Sequence, residues 1–403
     1  MSQMDRRRAL KLLGSLGALG ATGLAAACGR SDGLETEEPI SDEPVRIGMI
    51  VAQSGVYKPI GDEMLRGFQL YLDLNDQRLG GHPVELVVAD EGETPESGRA
   101  ALDQLVKQGV LALTGVVNSA VMLGLRDAVE QAKIPLIGSN ASPSTLQSVV
   151  YIWRTSYIND EPGRALAPYV KEQVGANGRV AIIAPEYDAG LDAVQGFRQS
   201  FGESDERISD PVIWTEYFPG KPARNAFAPY ITQLVNRDPA AIYCFFSGDS
   251  AVEFLKKLRQ AGYRKPIYAP GFLTEGPVLG QLRSREAEGI VTSLNYSADL
   301  NNAANRRFAS AFRKAHGSTP TTYAMASYDA AQVLGKGIRI AGENLNPLQL
   351  NLSLGRIGQI DSPRGPWQFN QPRTPQQKWY LREVQLDGQV LSNVLINELA
   401  TLG

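Results

Sequence analysis

The 403-residue chain is poor in the side chains on which most enzyme and metal chemistry rests. It holds two cysteines, Cys28 and Cys244, and two histidines, His82 and His316, far apart in sequence. So few ligands exclude a histidine-built metal centre, and no Cys–His catalytic pair can be assembled from positions so dispersed. No HExxH is present, no GxxxxGK[ST], and no GxGxxG after a strand, so neither a zinc protease nor a phosphate-cradling loop is indicated. Basic surplus is absent as well. The formal net charge is −3, and no dense Lys/Arg segment follows the first few residues, which excludes a nucleic-acid partner. We therefore expect no cofactor, no metal and no catalytic residue. Gly-x-Ser-x-Gly occurs once, at Gly29–Gly33, without the strand–turn–helix context of a nucleophile elbow. Asp90-Glu91, the one adjacent carboxylate pair at a strand end, reads as a solvated turn rather than as acid–base machinery.

An uninterrupted membrane span is also missing. A spanning helix needs about 20 apolar residues. The apolar or small stretch Leu12–Ala27 is shorter, follows Arg6, Arg7, Arg8 and Lys11, and ends in Leu24-Ala25-Ala26-Ala27-Cys28. A positive start, a short apolar core and small terminal residues read as an export signal over 1–27. The small residues before Cys28 resemble a bacterial lipobox, with the usual leucine one place further upstream, which implies a lipid anchor on Cys28. Arg6-Arg7-Arg8-Ala9-Leu10-Lys11 resembles a twin-arginine signal with Ala9 in place of the expected Phe; ordinary export remains the alternative. Residues 28–44 are acidic, with Asp32, Glu35, Glu37, Glu38, Asp42 and Glu43, and read as a solvated tether. With Cys28 lipidated, Cys244 is left unpaired inside the apolar run Ala241–Phe246, where it reads as a small buried hydrophobe.

From Val45 onward, short apolar strands alternate with amphipathic helices. Val45–Val51, Val84–Ala89, Val110–Gly115 and Ile134–Gly138 are strand-like, with helices over Asp62–Asn75, Ser97–Gln108 and Ala120–Gln131. The pattern restarts with a helix over Pro162–Gln173, strands over Arg179–Ala184, Val212–Phe218 and Ala240–Phe246, and helices over Leu191–Phe201, Pro229–Asn236 and Ser250–Ala261. Such alternation implies a parallel sheet covered on both faces, and its repetition implies two doubly wound α/β lobes. Asn301–His316 and Thr322–Ala341 read as helices, and Asp361–Ile396 as short antiparallel strands.

Ligands of open α/β sheets bind beyond the carboxyl ends of the strands. Those positions are Ala52–Tyr57, Gly115–Ser119, Gly138–Pro143, Pro185–Asp188 and Ser247–Ser250. They are rich in hydroxyls, amides and glycines just before helix N-termini, where exposed N–H groups and the helix dipole favour an anionic group.

Taken in order, Ile47-Gly48, Ser54-Gly55, Gly61, Gly67, Asn75, Gly80-Gly81, Asp90 and Pro95 resemble the opening of type I periplasmic solute-binding proteins. So do Gly115 with Ser119, Ile134-Pro135-Leu136-Ile137 ahead of Asn140-Ala141-Ser142, Tyr187 with Gly190, and Tyr323-Ala324 with Tyr328-Asp329-Ala330. The resemblance spans residues 45–396 and is strongest to the leucine/isoleucine/valine and amide binding proteins of ABC importers. It implies two lobes joined by a three-strand hinge, with crossovers near Tyr157–Asp160, Val291–Ser293 and Leu354–Gly358. The lobes would be 45–158 plus 292–355 and 159–291 plus 356–403. It further implies that Ser119, Asn140, Ala141 and Ser142, beside Asn118, hold a ligand carboxylate. Tyr187 would close over it, and a bulky contact would come from near Tyr57. The acidic residue that holds an amino acid's ammonium in this family falls on Phe272, and a second such position on Asn159; both are uncharged. Asp249 or Glu275 would have to substitute, or the ligand has no ammonium. Open choices are an α-amino acid, an aromatic or aliphatic carboxylate, an amide and a urea-like solute. The function implied is a monomeric receptor delivering its ligand to an ABC permease and ATPase. A sensor for a signalling partner is the alternative, and an envelope hydrolase lacks any assignable catalytic set.

Overall fold

A computed structural model describes residues 40–218 and 222–403. The export signal, Cys28 and most of the acidic tether lie outside the described residues. In chain order the elements are β1 (Val45–Val51), α1 (Lys58–Leu74), β2 (Arg78–Leu79), β3 (His82–Asp90), α2 (Pro95–Lys107), β4 (Ala112–Gly115), α3 (Ser119–Ala132), β5 (Leu136–Gly138) and β6 (Ile152–Arg154). Next come α4 (Glu161–Gln173), β7 (Val180–Pro185), α5 (Asp188–Phe201), β8 (Ile208–Thr215), α6 (Ala228–Asn236), β9 (Ala241–Cys244), α7 (Gly248–Gln260) and β10 (Ile267–Pro270). Two short 3-10 turns, Gly271–Leu273 and Gly276–Gln281, lead to α8 (Ser284–Ala287) and β11 (Val291–Leu294). The chain ends with α9 (Ala303–His316), α10 (Thr322–Ala341), α11 (Pro347–Leu354), β12 (Gln377–Asp387) and β13 (Val390–Leu402).

Two sheets organise these elements. The first has the order β2-β3-β1-β4-β5-β6, parallel apart from the β2–β3 hairpin. The second has the order β13-β12-β11-β10-β9-β7-β8, parallel from β8 to β11 and antiparallel across β11, β12 and β13. Strand periodicity decides which side chain meets which layer. In β1, Ile47, Met49 and Val51 join Met64, Phe68 and Leu334 of α1 and α10, while Ile50 faces Leu102, Leu105 and Val121 of α2 and α3. In β7, Val180, Ile182 and Ala184 meet Val170 and Phe197 of α4 and α5, and Ala181 and Ile183 meet Phe254 and Leu258 of α7. Strands buried on both faces read as continuous apolar runs for this reason.

Three passages join the sheets, and they are hydrogen-bonded to one another. Asn295 donates to the Ser156 carbonyl at 3.2 Å and to Gln377 Oε1 at 2.8 Å, and Gln377 Nε2 donates to the same Ser156 carbonyl at 2.9 Å. The second and third passages thus fall later than expected. Residues 291–294 are a strand of the second sheet. The segment after α11 stays on the first sheet: Phe369 packs its ring on Trp153, and the Arg154 N–H donates to the Arg373 carbonyl. The C-terminal antiparallel region is one long hairpin rather than a set of short strands, because β12 and β13 pair along their whole length.

Candidate functional site

The C-terminal ends of both sheets face one cavity, partly open to solvent. Tyr57, Asn118, Ser119, Asn140, Ala141, Tyr157, Asn159, Tyr187 and Phe272 line it, together with Ile60, Val117, Ala189, Phe245, Ser247 and Tyr323. Eight of the ten side chains singled out from the sequence therefore share one cavity. Ser142 and Asp249 do not. Ser142 is fully buried behind the wall, its hydroxyl near Arg154 Nη1 at 3.4 Å. Asp249 opens α7 and lines an adjacent cleft with Val56, Pro59 and Gln281.

Two glycines set the positions of the wall tyrosines. A Cβ at Gly61 would collide with the Ala52 carbonyl, and one at Gly190 with the Pro185 carbonyl. Only glycine lets α1 and α5 start tight against their preceding strands, and those tight starts place Tyr57 and Tyr187 over the cavity. The Tyr187 ring stacks on Tyr217 at 4.3 Å, and Tyr57 lines the cavity beside Tyr187. Burial raises the Tyr57, Tyr187 and Tyr217 phenols above their ordinary range, so all three are neutral donors.

At the start of α3, Asn118 caps the helix: its Oδ1 accepts from Ala120 N at 2.8 Å and Val121 N at 3.3 Å. Its Nδ2 reaches across the cleft to Tyr217 Oη at 2.5 Å, joining first-sheet and second-sheet halves in a closed arrangement. The loop before it hangs on Glu91, which accepts from Val117 N at 2.7 Å and Asn118 N at 2.9 Å and is completely buried. Glu91 is thus no solvated turn residue. Burial pushes its carboxyl up to about 8, against the pull of the two N–H donors.

Polar atoms of the wall are mostly committed. Asn140 Nδ2 donates to the Val117 carbonyl at 2.7 Å, and the Ala141 N–H donates to the Val116 carbonyl at 2.9 Å. The Ala141 amide is therefore occupied within the fold. The Ser119 N–H, in the first turn of α3, has no partner among the described residues.

The remaining wall is aromatic. Phe272 stacks on Tyr157 at 5.3 Å and on Tyr323 at 6.2 Å, and meets Phe245 edge-on at 6.2 Å. Phe245, absent from the sequence-derived set, faces the cavity. Phe246, the next residue, turns into the core against Phe227 and Phe254. Strand alternation carried past β9 could have separated the pair. No lining residue carries an acidic or basic side chain. Glu275 does not supply one, because it is buried in an ion pair with Arg382 at 2.8 Å and accepts from Thr322 N at 2.9 Å.

Among the described residues, no helix is long and apolar enough to cross a membrane. The family model described as "Periplasmic binding protein" matches residues 44–389. Over 357 residues the chain is 25% identical to Leu/Ile/Val-binding protein homolog 6 of Brucella melitensis, covering 84% of this chain and 87% of that one. It superposes on an ABC-transporter solute-binding protein of R. palustris in complex with benzoate at 28% identity and a TM-score of 0.79, covering 89% of this chain and 97% of that one. A leucine binding protein from Thermotoga maritima shares the fold at 20% identity and a TM-score of 0.77, covering 88% and 99%. The chain belongs to the periplasmic binding protein family.

Proposed function

We propose that the protein is an extracytoplasmic receptor that closes its two lobes over a small carboxylate with an aromatic body and delivers it to an ABC-type importer. The observation that carries this is the cavity's composition. Unspent donors at Ser119 sit at one end of a wall of Tyr57, Tyr157, Tyr187, Phe245, Phe272 and Tyr323, with no side-chain carboxylate to receive an ammonium. A ligand carboxylate gains from the Ser119 N–H and the α3 dipole without any arginine, and an aromatic ring gains from stacking. An α-amino acid would bury its ammonium unpaired, which is costly. The benzoate-bound relative from R. palustris supports the same class.

Delivery requires partners supplied by other chains: a permease and its ATPase. The signal-like residues 1–27 and the lipobox-like Cys28 support export and a lipid anchor holding the receptor at a membrane. Closure and reopening about the passages at Ser156, Asn295 and Gln377 would load and release the ligand. The lobes meet at those passages.

A thermal-shift panel tests the ligand class. At 100 times its dissociation constant a ligand adds about 2.7 kcal/mol of stability. Benzoate and hydroxybenzoates are expected to raise the melting temperature, with leucine, valine, amides and urea without effect. A shift with the amino acids alone would overturn the assignment.

A further inference from the structure

No arginine lines the cavity, yet one stands behind its wall. Arg154 ends β6, the edge strand of the first sheet, beside β5. Its stem runs against Gly138, the last residue of β5: a Cβ there would lie 3.4 Å from Arg154 Cγ. From Gly138 the chain passes through Ser139 to Asn140 and Ala141, which line the cavity, and then to Ser142. The Ser142 hydroxyl accepts from Arg154 Nη1 at 3.4 Å. One step along the chain of about 3.8 Å, followed by that contact, puts the guanidinium within about 10 Å of the Ala141 wall.

The charge held there has no counter-ion within the fold. Arg154 is 3% exposed. Of the five N–H donors of a guanidinium, one meets Ser142, one meets the Pro372 carbonyl at 2.7 Å, and Nε has no partner. Among the described residues, no carboxylate forms an ion pair with it. The buried acids of this region are committed elsewhere. Asp192 accepts from the Ser144 N–H and hydroxyl, Glu91 from the Val117 and Asn118 N–H groups, and Glu161 reaches only Gln377, at 3.5 Å. A guanidinium stays charged at neutral pH, and a buried charge without a partner is costly. An anion in the cavity lowers that cost.

We propose that Arg154 is a specificity-determining residue: its buried charge is the counter-ion of the bound carboxylate, acts across the Asn140–Ser142 wall without contact, and favours an anion over a neutral ligand of the same shape. Ser119 supplies direction at short range, and Arg154 supplies the sign of charge. A neutral amide makes the same stacking contacts and gains almost nothing from the charge behind the wall. At an effective dielectric constant of about 20, unit charges about 10 Å apart change affinity roughly tenfold. This inference rests on the carboxylate reading of the cavity.

Calorimetric titration of benzoate and benzamide into wild type, Arg154→Gln, Arg154→Lys and Ser142→Asp separates the possibilities. Wild type is expected to favour benzoate. Arg154→Gln narrows that preference roughly tenfold by weakening benzoate, with benzamide nearly unchanged. Arg154→Lys keeps the charge and most of the preference. Ser142→Asp leaves the arginine in place but sets a carboxylate against it. It narrows the preference as Arg154→Gln does, and carries the test if that variant does not fold. Equal weakening of both ligands would mark a merely structural role and overturn the proposal, as would a preference that Arg154→Lys loses as fully as Arg154→Gln. A wild type that prefers benzoate while Arg154→Gln keeps that preference overturns only the role of Arg154. A wild type that binds no carboxylate, or binds benzamide as tightly as benzoate, overturns the reading of the cavity as well.

Discussion

On the proposed reading, Ser119 and Phe272 would divide recognition between them. Ser119 would contribute directed donors at a helix start, and Phe272 apolar surface in the cavity wall. Replacing Ser119 by alanine deletes a hydrogen bond to a charged ligand, worth about 1.5–3 kcal/mol. Benzoate affinity is expected to fall roughly 10- to 150-fold, read by calorimetry, with the melting temperature of the free protein little changed. Strand ends were enough to single out Ser119, Asn140 and Tyr187, because strand ends of parallel sheets converge whatever the side chains are; Phe272 was reached only through the family resemblance. Sequence order could not say which polar atoms remain unspent. Ala141 gives its N–H to Val116 and Glu275 is held by Arg382, and both facts depend on partners tens of residues or more away. Asn159 was legible only as an uncharged position; its bond to Ser119 needs three dimensions.

At the scale of elements, the apolar runs announced both central strands, since β1 and β7 are covered on both faces. Short strands such as β6, β10 and β11 are three or four residues long and carry too little pattern to be read. Helix α4 shows a cost the sequence hides. Its first residue, Glu161, is fully buried; Oε1 has no partner and Oε2 has only Gln377 at 3.5 Å. Burial pushes the carboxyl up to about 7, from an ordinary value near 4.5. The folded state therefore holds this proton more tightly than the unfolded chain. That contribution is complete below about pH 4.5 and is lost as the pH rises through 7. Glu161→Gln removes the penalty of ionisation. Chemical denaturation at pH 5 and pH 8 should show the variant gaining about 2 kcal/mol relative to wild type over that interval. A difference independent of pH would mean that Glu161 ionises freely.

The molecule as a whole is a pair of sheets whose passages share one buried polar cluster. Arg364 pairs with Asp329 at 2.9 Å and reaches the Thr155 carbonyl and Gln377, tying α10 to the first and third passages. That cluster explains why the third passage lies at Gln377: residues between α11 and β12 are retained on the first sheet by Ser362, Arg364 and Trp367 around Asp329. From sequence, the segment looked like strands of the second lobe, because buried polar anchoring leaves no periodic signature. Two lobes were legible from the repeated strand–helix alternation, whereas the closed contact between Asn118 and Tyr217, 99 positions apart, was not. The central claim concerns what those lobes close upon. Calorimetric titration of the purified protein with benzoate and, separately, with isoleucine tests it most directly. The account predicts that benzoate binds and that isoleucine binds at least about 100-fold more weakly, near 3 kcal/mol, because its ammonium finds no carboxylate in the cavity. Isoleucine binding as tightly as benzoate, or more tightly, would contradict it.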